Sequence, residues 1–150
     1  MPFDPRYRAT MMIAAASAAA LLAAGWAGAQ GFPRHEAPEG AKVYFITPTD
    51  GETVKSPFPV RFGLEGMGVA PAGVAYDNTG HHHLIIDSAT PKLDLPVPKD
   101  DKHIHFGGGQ TETRVELPPG KHTLQLVLGD VNHIPHTNPV VSEVITITVE

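Results

Sequence analysis

The chain has 150 residues, a formal net charge of −5, nine histidines and no cysteine. The mild acidity argues against a nucleic-acid partner, which needs a basic patch, and against an anionic lipid surface. Without cysteine there is no disulfide and no thiolate metal site, so any bound metal is held by nitrogen and oxygen.

Residues 1–29 read as a secretory leader. Arg6 and Arg8 form a positive start, "MMIAAASAAALLAA" is the apolar stretch, and "AGA" at 27–29 is the small-x-small cleavage pattern. The apolar run is short for a membrane span, so the expectation is an exported, periplasmic or extracellular protein with no span left after cleavage. Removing Arg6, Arg8 and Asp4 takes the formal charge from −5 to −6. All nine histidines follow the leader, and Met67 is the one methionine after it, which disfavours a thioether site for Cu(I).

Residues 30–41 are rich in Pro and Gly without periodicity and read as a flexible lead-in to a domain over 42–150. "KVYFIT" (42–47) is a β-rich run stopped by the turn "PTDG". In "PFPVRFGLEG" (57–66), Phe58, Val60, Phe62 and Leu64 alternate onto one face. Residues 67–80 form a long loop and "HHLIID" (82–87) the third strand, while 91–101 is proline-rich and allows only a short edge piece. "HIHFGGGQ" (103–110) begins as a strand and breaks at its glycines. "TETRVEL" (111–117) follows, and "PPG" turns the chain into "KHTLQLVLG" (121–129), which places His122, Leu124, Leu126 and Leu128 on one face. After a loop over 130–139, "VVSEVITITVE" closes the chain with Glu143, Ile145, Ile147 and Val149 together.

About seven short strands with no helix among them predict an all-β fold, an immunoglobulin-like antiparallel β-sandwich. The stretch "ITPTDGETVKSPFPVRFGL" resembles the first hairpin of bacterial immunoglobulin-like domains. A cupredoxin-like barrel is the alternative architecture.

In such a sandwich, the loops around "DNTGHHH", "DKHIHFGGG" and "GDVNHIPH" gather at one end, bringing distant histidines together. His81 and His83 share a face, and His82 sides with Leu84 and Ile86, so His82 is the core-facing, structural ring. His103 and His105 also share a face, and His133 and His136 flank Ile134 and Pro135 at H-x-x-H spacing. Asp130 opens that loop as an oxygen ligand or as an acceptor behind the ligands. The candidate metal residues are therefore His81, His83, His103, His105, His133, His136 and Asp130. His35 lies in the lead-in and His122 beside the opposite turn, so neither is expected at the site. Neutral imidazole is a common donor for Cu(II) and Zn(II), and the glycines at 107–109 let backbone approach such a centre closely.

These residues predict binding of a metal ion, Cu(II) or Zn(II), or of another small ligand, in buffering, delivery or sensing. A second reading makes the histidines a structural network with Asp77, Asp87, Asp130, Gln110 and Thr111 in a module that recognises an envelope protein or glycan. A third is a metal-dependent hydrolase with Asp130 or Glu143 as base. The chain has no H-E-x-x-H pair and no nucleophile elbow, so the balance leans away from an enzyme.

Together "GHHHLIID", "HIHFGGGQTET", "LPPGKHTLQLVLGD", "HIPH" and "VVSEVITITV" are similar in order and spacing to the domain of unknown function 4399, a family of small exported bacterial proteins. The resemblance runs from about Gly80 to Val149 and includes eight of the histidines, all except His35. It implies export and a compact β-rich domain, and it brings no assigned activity or catalytic residue with it.

Overall fold

A computed structural model describes residues 31–150; the leader expected over 1–29 lies outside them. Nine strands are described: β1 (Lys42–Thr47), β2 (Thr53–Val54), β3 (Phe58–Glu65), β4 (Gly68–Val69), β5 (Thr79–Ile86), β6 (His103–His105), β7 (Glu112–Val115), β8 (Gly120–Gly129) and β9 (Ile145–Val149). They form two sheets. One has the order β1-β3-β7, and the other runs β2-β9-β8-β5-β4 with β6 also paired to β5. The sheets do not close on themselves, so the barrel alternative gives way to a sandwich. No helix among the described residues is long and apolar enough to cross a membrane.

Alternation builds the core, as the pattern predicted. Phe58, Val60 and Phe62 of the small sheet meet Leu84, Ile86, Leu124, Leu126, Leu128, Ile147 and Val149 of the large one. The turn glycine of "PPG" becomes the first residue of β8, which runs antiparallel to β9 from Gly120 opposite Val149.

Four expectations needed correction. Two-residue strands appear at 53–54 and 68–69, and both pair in parallel, with β9 and β5 respectively. The proline-rich stretch 91–101 forms no strand, and its one ladder contact is the bridge of Asp100 with His103. The last strand is shorter than its pattern. Val141 bridges Val127, but the Ser142 hydroxyl then accepts the Leu126 N–H and donates to the Glu143 carbonyl, which interrupts pairing until Ile145. Glu143 and Val144 are consequently exposed.

The lead-in is also tied down. Ala37 is buried in the core, and Arg34 donates to the carbonyls of Pro135 at 3.0 Å and His136 at 2.6 Å. Thr137 donates its N–H to the His35 carbonyl. A lone arginine in a Pro/Gly-rich stretch carries no sign of such distant partners.

The strand β5 is buried along nearly its whole length, on both faces. His82, Leu84 and Ile86 point into the sandwich. His81, His83 and Ile85 point outward beneath chain segments that fold over the sheet, where Ile85 packs with Val97, Val127 and Val141. His82 is the core ring the alternation predicted: it is fully buried, its ring centre 5.1 Å from that of Phe62, and neither of its nitrogens has a hydrogen-bond partner. Burial lowers its pKa to about 4, which the nearby Gln110 backbone only partly offsets.

That shift sets a pH dependence. Below pH 6.5 the unfolded chain protonates this imidazole while the folded chain keeps it neutral, so stability falls with pH down to about 4. At 1.36 kcal/mol per pH unit the ring contributes about 3 kcal/mol of acid destabilisation. The variant His82→Leu is expected to lose about 3 kcal/mol less than the parent between pH 6.5 and 4, measured by urea unfolding at each pH. Equal losses in parent and variant would show that His82 is not held neutral.

Candidate metal centre

The antiparallel register of β5 and β6 sets His83 opposite His105. Two residues before His83, His81 projects from the same outward face. The chain leaving β8 then folds over this face and adds His133. Each of these four rings offers a nitrogen, and the four nitrogens lie within 4.8 Å of one another. Ring centres are 4.8 Å apart for His81–His83, 5.0 Å for His81–His105 and His81–His133, and 5.1 Å for His83–His105. The last two pairs are His105–His133 at 4.6 Å and His83–His133 at 6.3 Å.

Two nitrogens of the group lack a partner. Nδ1 of His83 and Nε2 of His105 are buried with no hydrogen-bond partner. His81 Nε2 and His133 Nδ1 lie 3.1 Å apart and share one hydrogen bond. An unsatisfied buried nitrogen costs about 1–3 kcal/mol, so the group carries a cost that a bound ion would remove. This donor set fits a transition-metal ion. Nitrogens sharing one ion at bonds of about 2.0–2.1 Å are about 3.3–3.4 Å apart in a tetrahedron and at most about 4.2 Å apart across the ion, so the rings draw closer together when an ion binds.

The electrostatics favour the neutral form of His81, His83 and His105. Burial, followed by the nearby His105 and His133, lowers the His81 pKa to about 4, although Asp130 pulls the other way. Burial, then His81, His105 and His133, takes His83 to about 3. His105 is lowered as well, by burial, His133 and Lys99. A neutral imidazole has the lone pair that a metal requires.

Glycines make room for the rings. A Cβ on Gly129 would lie 2.6 Å from His83 Cε1, and one on Gly107 would collide with the His105 ring. The close approach expected of the 107–109 glycines is thus seen at Gly107. No reading of the sequence singled out Gly129, whose only signal is its place at the end of the "LQLVLG" run.

Asp130 shapes the loop that delivers His133. Its Oδ1 accepts the N–H groups of Asn132 at 2.8 Å and Ile134 at 3.0 Å. The His133 N–H bonds to the Asp130 carbonyl, and the His133 carbonyl accepts the Val97 N–H. His133 itself is left-handed, with φ of 65°, a conformation that costs a non-glycine residue about 1–2 kcal/mol. That cost is offset by the bonds around it, and the outcome is a ring turned onto the sheet. The other Asp130 oxygen is 2.9 Å from His35 Nδ1. Burial alone would raise the Asp130 pKa, but the bonds from His35, Ile134 and Asn132 hold it below the usual range.

Four of the seven candidates therefore meet: His81, His83, His105 and His133. The other three are engaged elsewhere. His103 pairs with Ile85, two residues and so about 7 Å along the strand from His105, and its Nδ1 bonds to Asp100 Oδ1 at 2.7 Å. His136 Nε2 bonds to the Thr79 carbonyl at 3.3 Å. Asp130 acts on the loop and on His35. His35, set aside on sequence grounds, thus stands directly behind the His133 loop, and nothing in its local sequence signals this. His122 is far from the group as expected, bonded to Asp87 at 2.7 Å and to the Pro118 carbonyl at 2.8 Å.

The meeting place also differs from the expected end of the sandwich. Because "TGHHHLII" is one extended strand, its histidines sit inside the hydrogen-bonded ladder and the 130–141 segment comes to them. The group lies on the outward face of the large sheet.

Fold and site together define an all-β sandwich with a four-histidine group under a folded-over loop. The chain belongs to the family described as domain of unknown function (DUF4399), whose model matches residues 60–150. The comparison with curated proteins gave no match. Among solved structures, an endo-beta-1,4-mannanase from Thermotoga petrophila is similar at 19% identity and a TM-score of 0.44, over 73% of this chain. The chain spans 20% of that enzyme's length.

Removing the Asp130 carboxylate strips the partners from two loop N–H groups and from His35. Asp130→Ala is expected to cost about 2–4 kcal/mol in chemical denaturation, and Asp130→Asn, which retains one oxygen acceptor, less than half of that. An Asp130→Ala variant within 0.5 kcal/mol of the parent, on the order of an ordinary surface substitution, contradicts this role.

Proposed function

We propose that this domain binds one first-row transition-metal ion through His81, His83, His105 and His133, and serves in metal buffering, delivery or sensing in the envelope of the exporting cell. The observation that carries the reading is the convergence of four imidazole nitrogens within 4.8 Å, two of them buried without a hydrogen-bond partner. Four imidazole nitrogen donors with no oxygen donor suit Zn(II) or Cu(II) and do not suit Ca(II) or Mg(II), which take oxygen ligands. The export and envelope location rest on the sequence pattern of residues 1–29.

Two clefts stand apart from the four rings. A cleft of about 720 Å³ runs beside β1 and the 139–145 segment, and one of about 300 Å³ lies by His35, Tyr76 and Asp130. Neither is lined by any of the four rings. The bond between His81 and His133 favours a second reading, a purely structural histidine network. Such a network would satisfy its nitrogens, and the unpartnered nitrogens of His83 and His105 weigh against it.

Purified full-length protein loaded with Zn(II) or Cu(II) and desalted is expected to hold close to one ion per chain by elemental analysis. His83→Ala and His105→Ala should hold almost none, while His103→Asn keeps the parent content. Free metal at one hundred times its Kd should add about 2.7 kcal/mol to the stability of the parent. That gain should be absent from folded His105→Ala. Parent protein that stays metal-free and shows no stabilisation by either ion would overturn the proposal.

A further inference from the structure

We infer that the four-histidine centre is a tetrahedral site, built for Zn(II) rather than for the planar geometry of Cu(II). This rests on the metal-binding reading above and adds the coordination geometry, and with it the ion.

The argument comes from the six distances among the rings. In an imidazole bound at about 2.0–2.1 Å, the ring centre stands about 3.2 Å from the ion. Four such rings in a tetrahedron have all six centre-to-centre distances equal, at about 5.2 Å. In a square they show four sides of about 4.5 Å and two diagonals of about 6.4 Å, the diagonals joining opposite rings. Five of the six observed distances fall between 4.6 and 5.1 Å, and one, His83–His133, reaches 6.3 Å.

The decisive pair is the one that shares no ring with the long distance. If His83 and His133 were opposite corners of a square, His81 and His105 would be the other two and would stand about 6.4 Å apart. They are 5.0 Å apart. The four rings therefore fold out of a plane into a tetrahedron with one opened edge.

The backbone gives a reason for this shape. His81 and His83 are fixed two residues apart on β5, and the β5–β6 register fixes His105 beside His83, so three rings rise from one sheet face. A planar site would need the fourth ring at the same height above the sheet. His133 instead comes from the loop after β8 and not from the sheet itself. Three ligands from one sheet and one from a separate loop agree with the out-of-plane arrangement that the distances give.

Geometry of this kind is how a site discriminates among ions whose intrinsic affinities follow a fixed order. Tetragonal or planar nitrogen sites suit Cu(II) and Ni(II), whereas Zn(II) has no geometric preference from its d electrons and settles readily into a tetrahedron. With no sulfur donor in the set, Cu(I) has little to recommend it here.

The test replaces silent Zn(II) with Co(II) in the purified full-length protein. A tetrahedral centre gives intense visible absorption, a six-coordinate one only weak bands. X-ray absorption of the Zn(II) form reads the number and distance of its nitrogen neighbours. Expected are the intense Co(II) bands, four nitrogens at about 2.0 Å from zinc, and full loss of the bands in His105→Ala. The variant His103→Asn should keep them. Weak six-coordinate Co(II) bands, or a diamagnetic planar Ni(II) adduct, would overturn the tetrahedral assignment while leaving metal binding by these histidines in place. No uptake of Co(II), Ni(II), Cu(II) or Zn(II) by the parent would overturn both.

Discussion

A single strand buried on both faces governs this molecule. Along β5 every second side chain must enter the sandwich core, and the others must be covered from outside. The sequence "HHHLII" meets the first demand with His82, Leu84 and Ile86, and the second with His81, His83 and Ile85. Ile85 finds apolar cover in Val97, Val127 and Val141. The two outward histidines have polar nitrogens that such cover cannot satisfy, so the chain closes over them with further imidazoles.

That closure engages several parts of the chain at once. Asp130 bends the loop, His133 adopts a left-handed backbone to enter the group, and Gly129 and Gly107 leave the space that the His83 and His105 rings occupy. Behind the loop, Arg34 and His35 hold it from the far side, which joins the segment before β1 to the centre through Asp130. For His81, His83 and His105, burial and the neighbouring rings both disfavour protonation. The packing that assembles the centre also favours the neutral form of His81, His83 and His105, and a positive ion suits a group of four imidazole nitrogens.

Much of the fold was legible from residue order. The alternation of Phe58, Val60 and Phe62 and the leucine row of β8 specify which face is core, because side chains in a strand alternate whatever their neighbours. The same rule sorted His82 from His81 and His83. What alternation cannot supply is distance along a partner strand. His103 and His105 are equivalent in the sequence, and only the register of β6 against β5 places one opposite His83 and the other opposite Ile85. Likewise, His133 and His136 share a loop, yet the hydrogen bonds of Asp130 turn His133 inward and leave His136 against the Thr79 carbonyl.

By itself, then, the sequence determined the all-β class, the core-facing residues, the absence of sulfur donors and the presence of enough imidazole for a nitrogen site. These follow from composition and from a two-residue period, which are local properties. The tertiary structure alone decided that the histidines meet on an outer sheet face instead of the sandwich end, which four of them meet, and that His35 stands behind them. Those outcomes depend on strand register and on contacts between residues about a hundred positions apart, such as Arg34 with Pro135. No local pattern encodes such contacts, because their free energy exists only once the sheets have packed.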